Sequence, residues 1–235
     1  MRLLLDFLCR FGWGMALALV LTPATPVPGG FFRVNLLVVM GLATFAALVA
    51  RTAASGWPWV VLATAAVVAW MGSVAWLGEK RRAGSGFCAA CAALLAGAVA
   101  LVAATPRAAA AGLVSGCVTG LTVHAMLLGH WYLNAPGMRV DVLRRMIDLA
   151  LVAWGLQTAV AVAALLPWVP PADATATALL ALRWLAGLVG LPVLLVMARK
   201  TLDIPNTQSA TGILYVASLA AILGELTGQL LLGSS

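Results

Sequence analysis

Charged side chains are scarce in this sequence, where Asp, Glu, Lys and Arg together make up 9% of the 235 residues. A soluble domain carries about 25%. Hydrophobic residues make up 63%, and the mean hydropathy is +1.06. A water-soluble protein of this composition could not cover its surface with polar groups. The scarcity of charge therefore excludes an ordinary soluble domain and predicts that lipid surrounds the chain.

Histidine is scarcer still, since the chain holds only His124 and His130. On one helix, a spacing of six residues gives about 9 Å of rise and about 240° of rotation. The two imidazoles therefore cannot ligate one haem from both sides or form one i, i+4 metal site. Haem b is not expected from this chain alone, although a single haem held by histidine and Met126 or Met138 stays open as an alternative.

Motifs of soluble enzymes are missing: there is no P-loop, no G-x-S-x-G, no H-E-x-x-H and no Rossmann fingerprint. The four cysteines lie in or beside apolar runs, which is not the arrangement of an extracellular disulfide framework. Cys88 and Cys91 form one isolated C-x-x-C, and the pattern favours inert packing. We therefore expect no catalytic residue and no metal site, and a membrane subunit more than a self-contained enzyme.

Long apolar runs dominate what is present. A spanning helix needs about 20 mostly apolar residues. Eight runs meet or approach that length: 7–21, 34–50, 59–77, 86–104, 108–132, 147–168, 177–198 and 208–232. The connectors are short, so we expect one integral-membrane domain over 1–235. The predicted fold class is all-α, a polytopic transmembrane bundle of about seven to eight helices.

The basic residues predict the orientation. The connectors after the first, third, fifth and seventh runs hold nine Lys and Arg, and the other side holds four, namely Arg2, Arg10, Arg51 and Arg107. The positive-inside rule places the first set in the cytoplasm and the C-terminus outside a bacterial-type inner membrane. We interpret the net charge of +7 in this way, and we expect the bilayer, not nucleic acid, as partner.

The first run, 7–21, fits this rule least well, because Arg2 and Arg10 would face outward. Three interpretations stay open. The run spans with both arginines at the outer headgroups, it lies in the inner interface, or it is a signal peptide with a small residue, Ala24, at the cleavage site. The charge rule disfavours the signal peptide, since cleavage would turn the basic connectors outward.

The run 108–132 contains a regular pattern: Gly112, Gly116, Gly120 and His124 recur at every fourth position. On a helix they form one stripe, along which a neighbouring helix can approach closely. We expect His124 to make an interhelical hydrogen bond from that stripe, with a cofactor contact as the alternative.

His130 follows near the cytoplasmic interface, beside Trp131 and Tyr132. An interfacial histidine can exchange a proton with the cytoplasm and hydrogen-bond a quinone carbonyl. We therefore predict a quinone site from His130, Tyr132 and Arg144. An aromatic belt is the alternative interpretation of the Trp-Tyr pair.

Two ionisable residues interrupt the last two runs. Arg183 lies about two turns after the start of its helix, and Glu225 about two turns before the end of the next. Consecutive spans are antiparallel, so both are expected at similar depth and predicted to pair. The alternative to a structural pair is an anion, proton or headgroup site.

Glu225 belongs to a polar face of the last run. Its spacing of four, three, seven and four residues places five polar side chains on one side of a helix: Thr211, Tyr215, Ser218, Glu225 and Gln229. Gln157 of the sixth run is expected to join them near mid-depth. A polar face on a membrane helix must meet protein or water, so this face predicts an internal cavity or a partner.

These patterns leave three hypotheses about function. The first is a quinone-interacting or anchor subunit of a respiratory or redox complex, which requires electron-carrying protein partners. The second is a small-solute or proton-coupled transporter or channel, with Arg183 and the polar face of the last helix along the path. The third is an assembly or scaffold protein without a ligand.

Overall fold

The computed structural model describes residues 1–53, 56–134, 139–164, 173–204 and 206–233. Within these ranges the regular secondary structure is helical. The helices are α1 (Arg2–Leu21), α2 (Gly29–Ala53), α3 (Pro58–Leu77), α4 (Arg81–Val102), α5 (Pro106–Asn134), α6 (Asp141–Ala164), α7 (Ala174–Leu182), a π-helical segment (Arg183–Gly190), α8 (Leu191–Thr201) and α9 (Thr207–Gly233).

Among the described residues, eight helical stretches are long and apolar enough to cross a membrane, with α7, the π-helical segment and α8 forming the seventh. The predicted all-α, polytopic bundle is confirmed, and the chain is a multi-pass membrane protein. Each observed span begins before its predicted apolar run, because residues at the interface continue the helix, whereas α4 ends at Val102, two residues before the predicted end at 104. The end of the predicted run 147–168 lies outside the described residues.

The first helix, whose status the sequence left open, is a 20-residue helix inside the bundle. It packs against α5, α4 and α2. A Cβ added at Gly14 would lie 1.8 Å from the carbonyl oxygen of Gly116, and one added at Gly120 would lie 2.1 Å from the carbonyl carbon of Gly14. The glycine stripe of α5 therefore receives α1 at backbone contact, because neither helix carries a side chain there.

The seventh span departs from regular α-helix over Arg183–Gly190. Pro192 follows two residues after its end, and proline has no N–H to donate to the carbonyl of residue i−4, which is Leu188. The indole nitrogen of Trp154 on α6 donates to that carbonyl at 3.2 Å instead. The π-helical segment thus ends where the proline removes a helical hydrogen bond, and a neighbouring helix supplies the missing donor.

Burial divides the bundle into centre and periphery. In α5, 67% of the spanning stretch is buried within the protein, against 17% in the seventh span.

Because successive spans are antiparallel, the starts of α1, α5 and the seventh span lie at the same end of the bundle as the end of α9. We call this the opposite end, and the end where α1 finishes and α6 starts the basic end.

Candidate functional site

A cluster of charged side chains lies inside the half of the bundle nearer the opposite end. The guanidinium of Arg10 donates to Glu225 Oε1 through Nη1 at 3.0 Å and to Asp6 Oδ2 through Nη2 at 2.5 Å. The hydroxyl of Ser115 on α5 lies 3.5 Å from the same Nη1. Arg10 and Glu225 are only 12% and 5% exposed. One buried guanidinium therefore joins two carboxylates from opposite ends of the chain.

The depth of the cluster follows from position along each helix. Arg10 lies eight residues after the start of α1, and Glu225 eight residues before the end of α9. Both are about 12 Å along the helix axis from the opposite end. Asp6 precedes Arg10 by four residues, which places it on the same helix face. Gly112 makes room on α5, since a Cβ there would lie 3.0 Å from Arg10 Nε.

Gln229 completes the surroundings of Glu225. Its Nε2 donates to Glu225 Oε1 at 2.7 Å, one helical turn further along α9. Gln229 is 6% exposed, and its Oε1 is buried without a hydrogen-bond partner among the described residues. Glu225 therefore accepts from two donors, and an amide acceptor remains available beside it.

Arg183 does not form the direct pair with Glu225 that the sequence suggested. Within the described part of the chain, the salt bridge of Glu225 is to Arg10, and no acidic oxygen lies within 4.0 Å of Arg183. The Arg183 guanidinium lies over Gly228, where an added Cβ would be 3.2 Å from its Cζ. It thus borders the cluster one turn from Glu225, and the cluster holds two carboxylates and two guanidinium groups.

Close contact with α9 brings Arg183 to this position. A Cβ added at Gly224 would lie 2.6 Å from the Cα of Gly187 in the π-helical segment. Gly224 and Gly228 therefore allow the seventh span to approach α9 closely, just as the glycine stripe of α5 allows the close approach of α1.

Buried polar side chains concentrate on α5 and α9 and at the end of α1, and these three helices contact one another. Apart from Asn35 and Ser73, those buried among the described residues are Thr22, Ser115, Thr119, Thr122, His124, Thr211, Ser218, Glu225, Thr227 and Gln229. We call these ten, with Asp6 and Arg10, the polar core. The hydroxyls of α9 donate to carbonyls of their own helix, such as Ser218 to Leu214 at 2.8 Å, so their oxygens remain able to accept.

Two residues expected in this group lie elsewhere. Tyr215 is 44% exposed and stands at the edge of the polar face of α9. Gln157 is half-buried on α6, which packs against α5 and α8. It makes no hydrogen bond to Glu225 or Gln229.

His124 makes a hydrogen bond between α5 and the end of α1. Its Nε2 lies 2.7 Å from the hydroxyl oxygen of Thr22, which also lies 2.7 Å from the Ala18 carbonyl oxygen and 3.3 Å from Met146 Sδ. In the tautomer that leaves the hydrogen bond from Thr22 to Ala18 intact, Nε2–H donates to the Thr22 oxygen and Nδ1 is an acceptor. That nitrogen is buried without a partner in the described residues, and the ring of Phe31 packs edge-on at 5.2 Å.

The three residues of the predicted quinone site each contact a different part of the molecule. His130 Nδ1 lies 3.1 Å from the hydroxyl of Tyr215 on α9. Tyr132 donates its hydroxyl proton to the carbonyl of Arg139, and Arg144 donates to the carbonyl of Leu202. The structure thus brings His130 together with Tyr215, a partner that the sequence placed in another group.

A second set of charges lies at the basic end, where the side chains are more exposed. Arg199 contacts Asp148 at 2.9 Å and Asp203 at 3.3 Å, and Arg139 contacts Asp141 at 2.9 Å. The contact between Arg199 and Asp148 joins α8 to α6, and the other two contacts are local in the sequence.

The cysteines of the C-x-x-C are free thiols. Both are buried, and Cys91 lies 3.6 Å from the Ala65 carbonyl of α3. They pack α4 against its neighbour.

In comparisons with protein-family models, curated proteins and solved structures, none matches the chain.

Proposed function

We propose that the protein is a transporter or channel of a bacterial-type inner membrane that moves protons, and that Glu225 takes up and releases them. The observation that carries this proposal is a buried carboxylate sharing one guanidinium with a second carboxylate. Ionisable side chains inside a membrane are costly to place, and they typically mark ion pathways and proton relays.

Proton uptake at Glu225 is chemically reasonable because Arg10 contacts two carboxylates. A buried arginine with a single partner would be left uncompensated if that partner were neutralised. Arg10 instead keeps its contact with Asp6 when Glu225 is protonated. Arg183 stands at the border of the cluster and compensates the second carboxylate when both are ionised.

Gln229 is suited to both protonation states of Glu225. Its amide donates Nε2–H to the ionised carboxylate at 2.7 Å. Rotation of the amide by 180° presents Oε1, which is buried and unpartnered among the described residues, to a protonated carboxyl group. One side chain therefore satisfies Glu225 before and after proton uptake.

The rest of the polar core supports a route toward the basic end. From Glu225 to Thr211, α9 covers about 21 Å, much of the thickness of a bilayer. His124 lies on the neighbouring helix α5, in the half nearer the basic end, and its Nδ1 is buried without a hydrogen-bond partner among the described residues. Hydroxyl groups and an imidazole can hydrogen-bond water molecules, and a proton can pass along such a chain.

The charge bias supports the orientation with the basic end in the cytoplasm. Arg10 is paired inside the bundle and so is not a topology signal. Without it, nine basic residues at the basic end stand against three on the other side, Arg2, Arg51 and Arg107.

Proton flux in proteoliposomes tests the proposal. Vesicles are loaded with a pH-sensitive dye, and a potassium gradient with valinomycin sets the membrane potential. We expect the wild-type protein to acidify or alkalinise the lumen according to the sign of the potential, and Glu225→Gln to abolish this flux while keeping the hydrogen bonds of the carboxylate. Gln157→Leu is the matched control, because Gln157 is a membrane-embedded polar residue outside the cluster, and it should conduct like wild type.

Wild-type vesicles that are no more permeable to protons than protein-free vesicles would contradict the proposal and favour a scaffold. A Glu225→Gln variant that folds and conducts normally would equally remove Glu225 from the pathway.

A second candidate function is quinone binding, as expected for a subunit of a redox complex. The observation that favours it is the pair of His130 and Tyr215 at 3.1 Å, both exposed on the bundle surface near the basic end. A quinone in the bilayer would reach this pair laterally, and an imidazole and a phenol both hydrogen-bond a quinone carbonyl.

Extraction of co-purified quinone distinguishes this candidate. His130→Ala and Tyr215→Phe should each lower the quinone content, whereas Tyr132→Phe should not, since Tyr132 donates to the Arg139 carbonyl. Wild-type protein purified without quinone would count against the site.

A further inference from the structure

A groove of about 400 Å³ runs along α6 at the basic end. Its floor follows one helix stripe, because Asp141, Arg145, Leu149 and Val152 recur at spacings of four, four and three. Arg199 of α8 closes the other side. The groove lies outside the polar core and has no part in the proton pathway proposed above.

Most cations at this groove already have partners. Arg199 contacts Asp148 and Asp203, and Arg144 contacts Asp203 at 3.7 Å and the Leu202 carbonyl. Arg145 differs. All seven acidic side chains of the sequence lie within the described residues, and none of them is within 4.0 Å of a nitrogen of Arg145. An exposed guanidinium therefore faces the groove without an ion pair.

Arg145 also lines a second groove of about 580 Å³ on the other side of α6. Arg139 lies there too, beside the turn between α1 and α2 that contains Pro23 and Pro26. The guanidinium thus stands between two open clefts. Counting the ionisable groups of the first groove, three arginines against two aspartates, the lining carries a net positive charge.

The depth of the lining residues selects the kind of ligand. Arg145 lies about 6 Å along α6 from its start, and Val152 about 16 Å. The charged part therefore sits at headgroup level and the apolar part at acyl-chain level. Leu149 is half-buried and Val152 is exposed, so an apolar chain can lie along both.

We propose that this groove binds an anionic phospholipid of the cytoplasmic leaflet, with its phosphate on Arg145 and one acyl chain along Leu149 and Val152. Arginine binds phosphate oxygens with two parallel hydrogen bonds, and basic pockets between membrane helices on the cytoplasmic side suit such headgroups. Free phosphate shares the headgroup chemistry but would leave the apolar half of the groove unfilled.

Native mass spectrometry of the full-length protein tests the site. The protein is released from vesicles of phosphatidylglycerol or of phosphatidylcholine, and the retained lipids are counted. We expect wild type to retain one more phosphatidylglycerol than Arg145→Gln, and no such difference with phosphatidylcholine. Titration of phosphatidylglycerol should show an affinity about fivefold lower for Arg145→Gln, the size expected for one basic residue near the membrane surface.

Arg82→Gln is the matched control, because Arg82 is another exposed arginine at the basic end without a salt bridge in the described residues and outside both grooves. It should retain lipid like wild type. Equal losses in both variants would show a general charge effect and overturn the site, as would full retention in Arg145→Gln.

Two further measurements distinguish a phospholipid headgroup from free phosphate as the group bound by Arg145. Val152→Ser should weaken phosphatidylglycerol retention, because it removes apolar surface at acyl-chain depth. Excess inorganic phosphate should leave the bound lipid in place. Displacement by inorganic phosphate, with no effect of Val152→Ser, would overturn the lipid assignment in favour of a free-phosphate site.

Discussion

The two sets of arginine–carboxylate contacts in this protein use the same side chains in opposite surroundings. Arg10, Asp6 and Glu225 meet inside the bundle, where Glu225 is 5% exposed. Arg199, Asp148 and Asp203 meet at the basic end, where each is about a third to a half exposed. Water screens the second set, and protein and lipid surround the first. The comparison teaches that distance alone does not rank these contacts, because their energetic weight depends on what would solvate each charge if its partner were lost.

The largest expected effect is that of removing the shared cation. Arg10→Gln leaves Glu225 buried and Asp6 half-buried without Arg10, and breaking a buried pair in this way costs about 3–5 kcal/mol. Unfolding by SDS in mixed micelles measures the loss. Glu225→Gln in the same background should recover much of it, since the double variant no longer buries that charge. An Arg10→Gln protein as stable as wild type would contradict the cluster as described.

The second prediction concerns the helix contact that brings the buried set together. Gly120→Ala places a Cβ 2.1 Å from the backbone of Gly14, so α1 and α5 must separate. Overpacking of this kind costs about 1–3 kcal/mol. Gly41→Ala is the control, because no neighbouring atom of the described residues lies within 4 Å of a Cβ added there. The same unfolding assay should show a loss only for Gly120→Ala, and equal behaviour of the two variants would refute the close approach.

A smaller effect is expected where the buried contact is neutral. His124 and Thr22 are joined by one hydrogen bond of 2.7 Å. Hydrogen bonds between membrane helices contribute about 0.6 kcal/mol on average and at most about 1.7 kcal/mol. A double-mutant cycle with His124→Ala and Thr22→Val measures the coupling, and zero coupling would mean that the two groups act independently.

The smallest effect should come from the exposed set. Arg199→Gln removes contacts to Asp148 and Asp203, and exposed pairs contribute about 0.2–1 kcal/mol. The loss should shrink as salt is added, because salt screens exposed charges. The loss in Arg10→Gln should persist in the same salt. If salt changes the loss of stability equally in both variants, the contrast between the buried and the exposed charges is refuted.

Sequence patterns predicted the spans well because each depends on local composition. A run of about 20 apolar residues must form its backbone hydrogen bonds internally in lipid, wherever its neighbours are. The extent of α1 was harder to predict, because Arg10 was expected at the membrane interface and Asp6 entered no prediction. Their i, i+4 spacing was the available signal, because two opposite charges on one face compensate each other inside a span.

The pairing of Glu225 could not be predicted in the same way. Arg183 was favoured because it lies on the consecutive antiparallel helix, whereas Arg10 is 215 residues away. No periodicity within α9 indicates which helix packs against it. The same limit explains why Tyr215 was grouped with Glu225, when the structure places its hydroxyl on His130.

The sequence by itself determined that this chain is a membrane helix bundle, where its apolar helices run, and which of them carry glycine stripes and polar faces. These properties follow from the local composition and from the spacing of residues along a helix. The tertiary structure alone decided that α1 fills the glycine stripe of α5 and that Arg10 stands between Asp6 and Glu225. Those contacts depend on which helix faces which, and that choice is made by the fit of all the surfaces together.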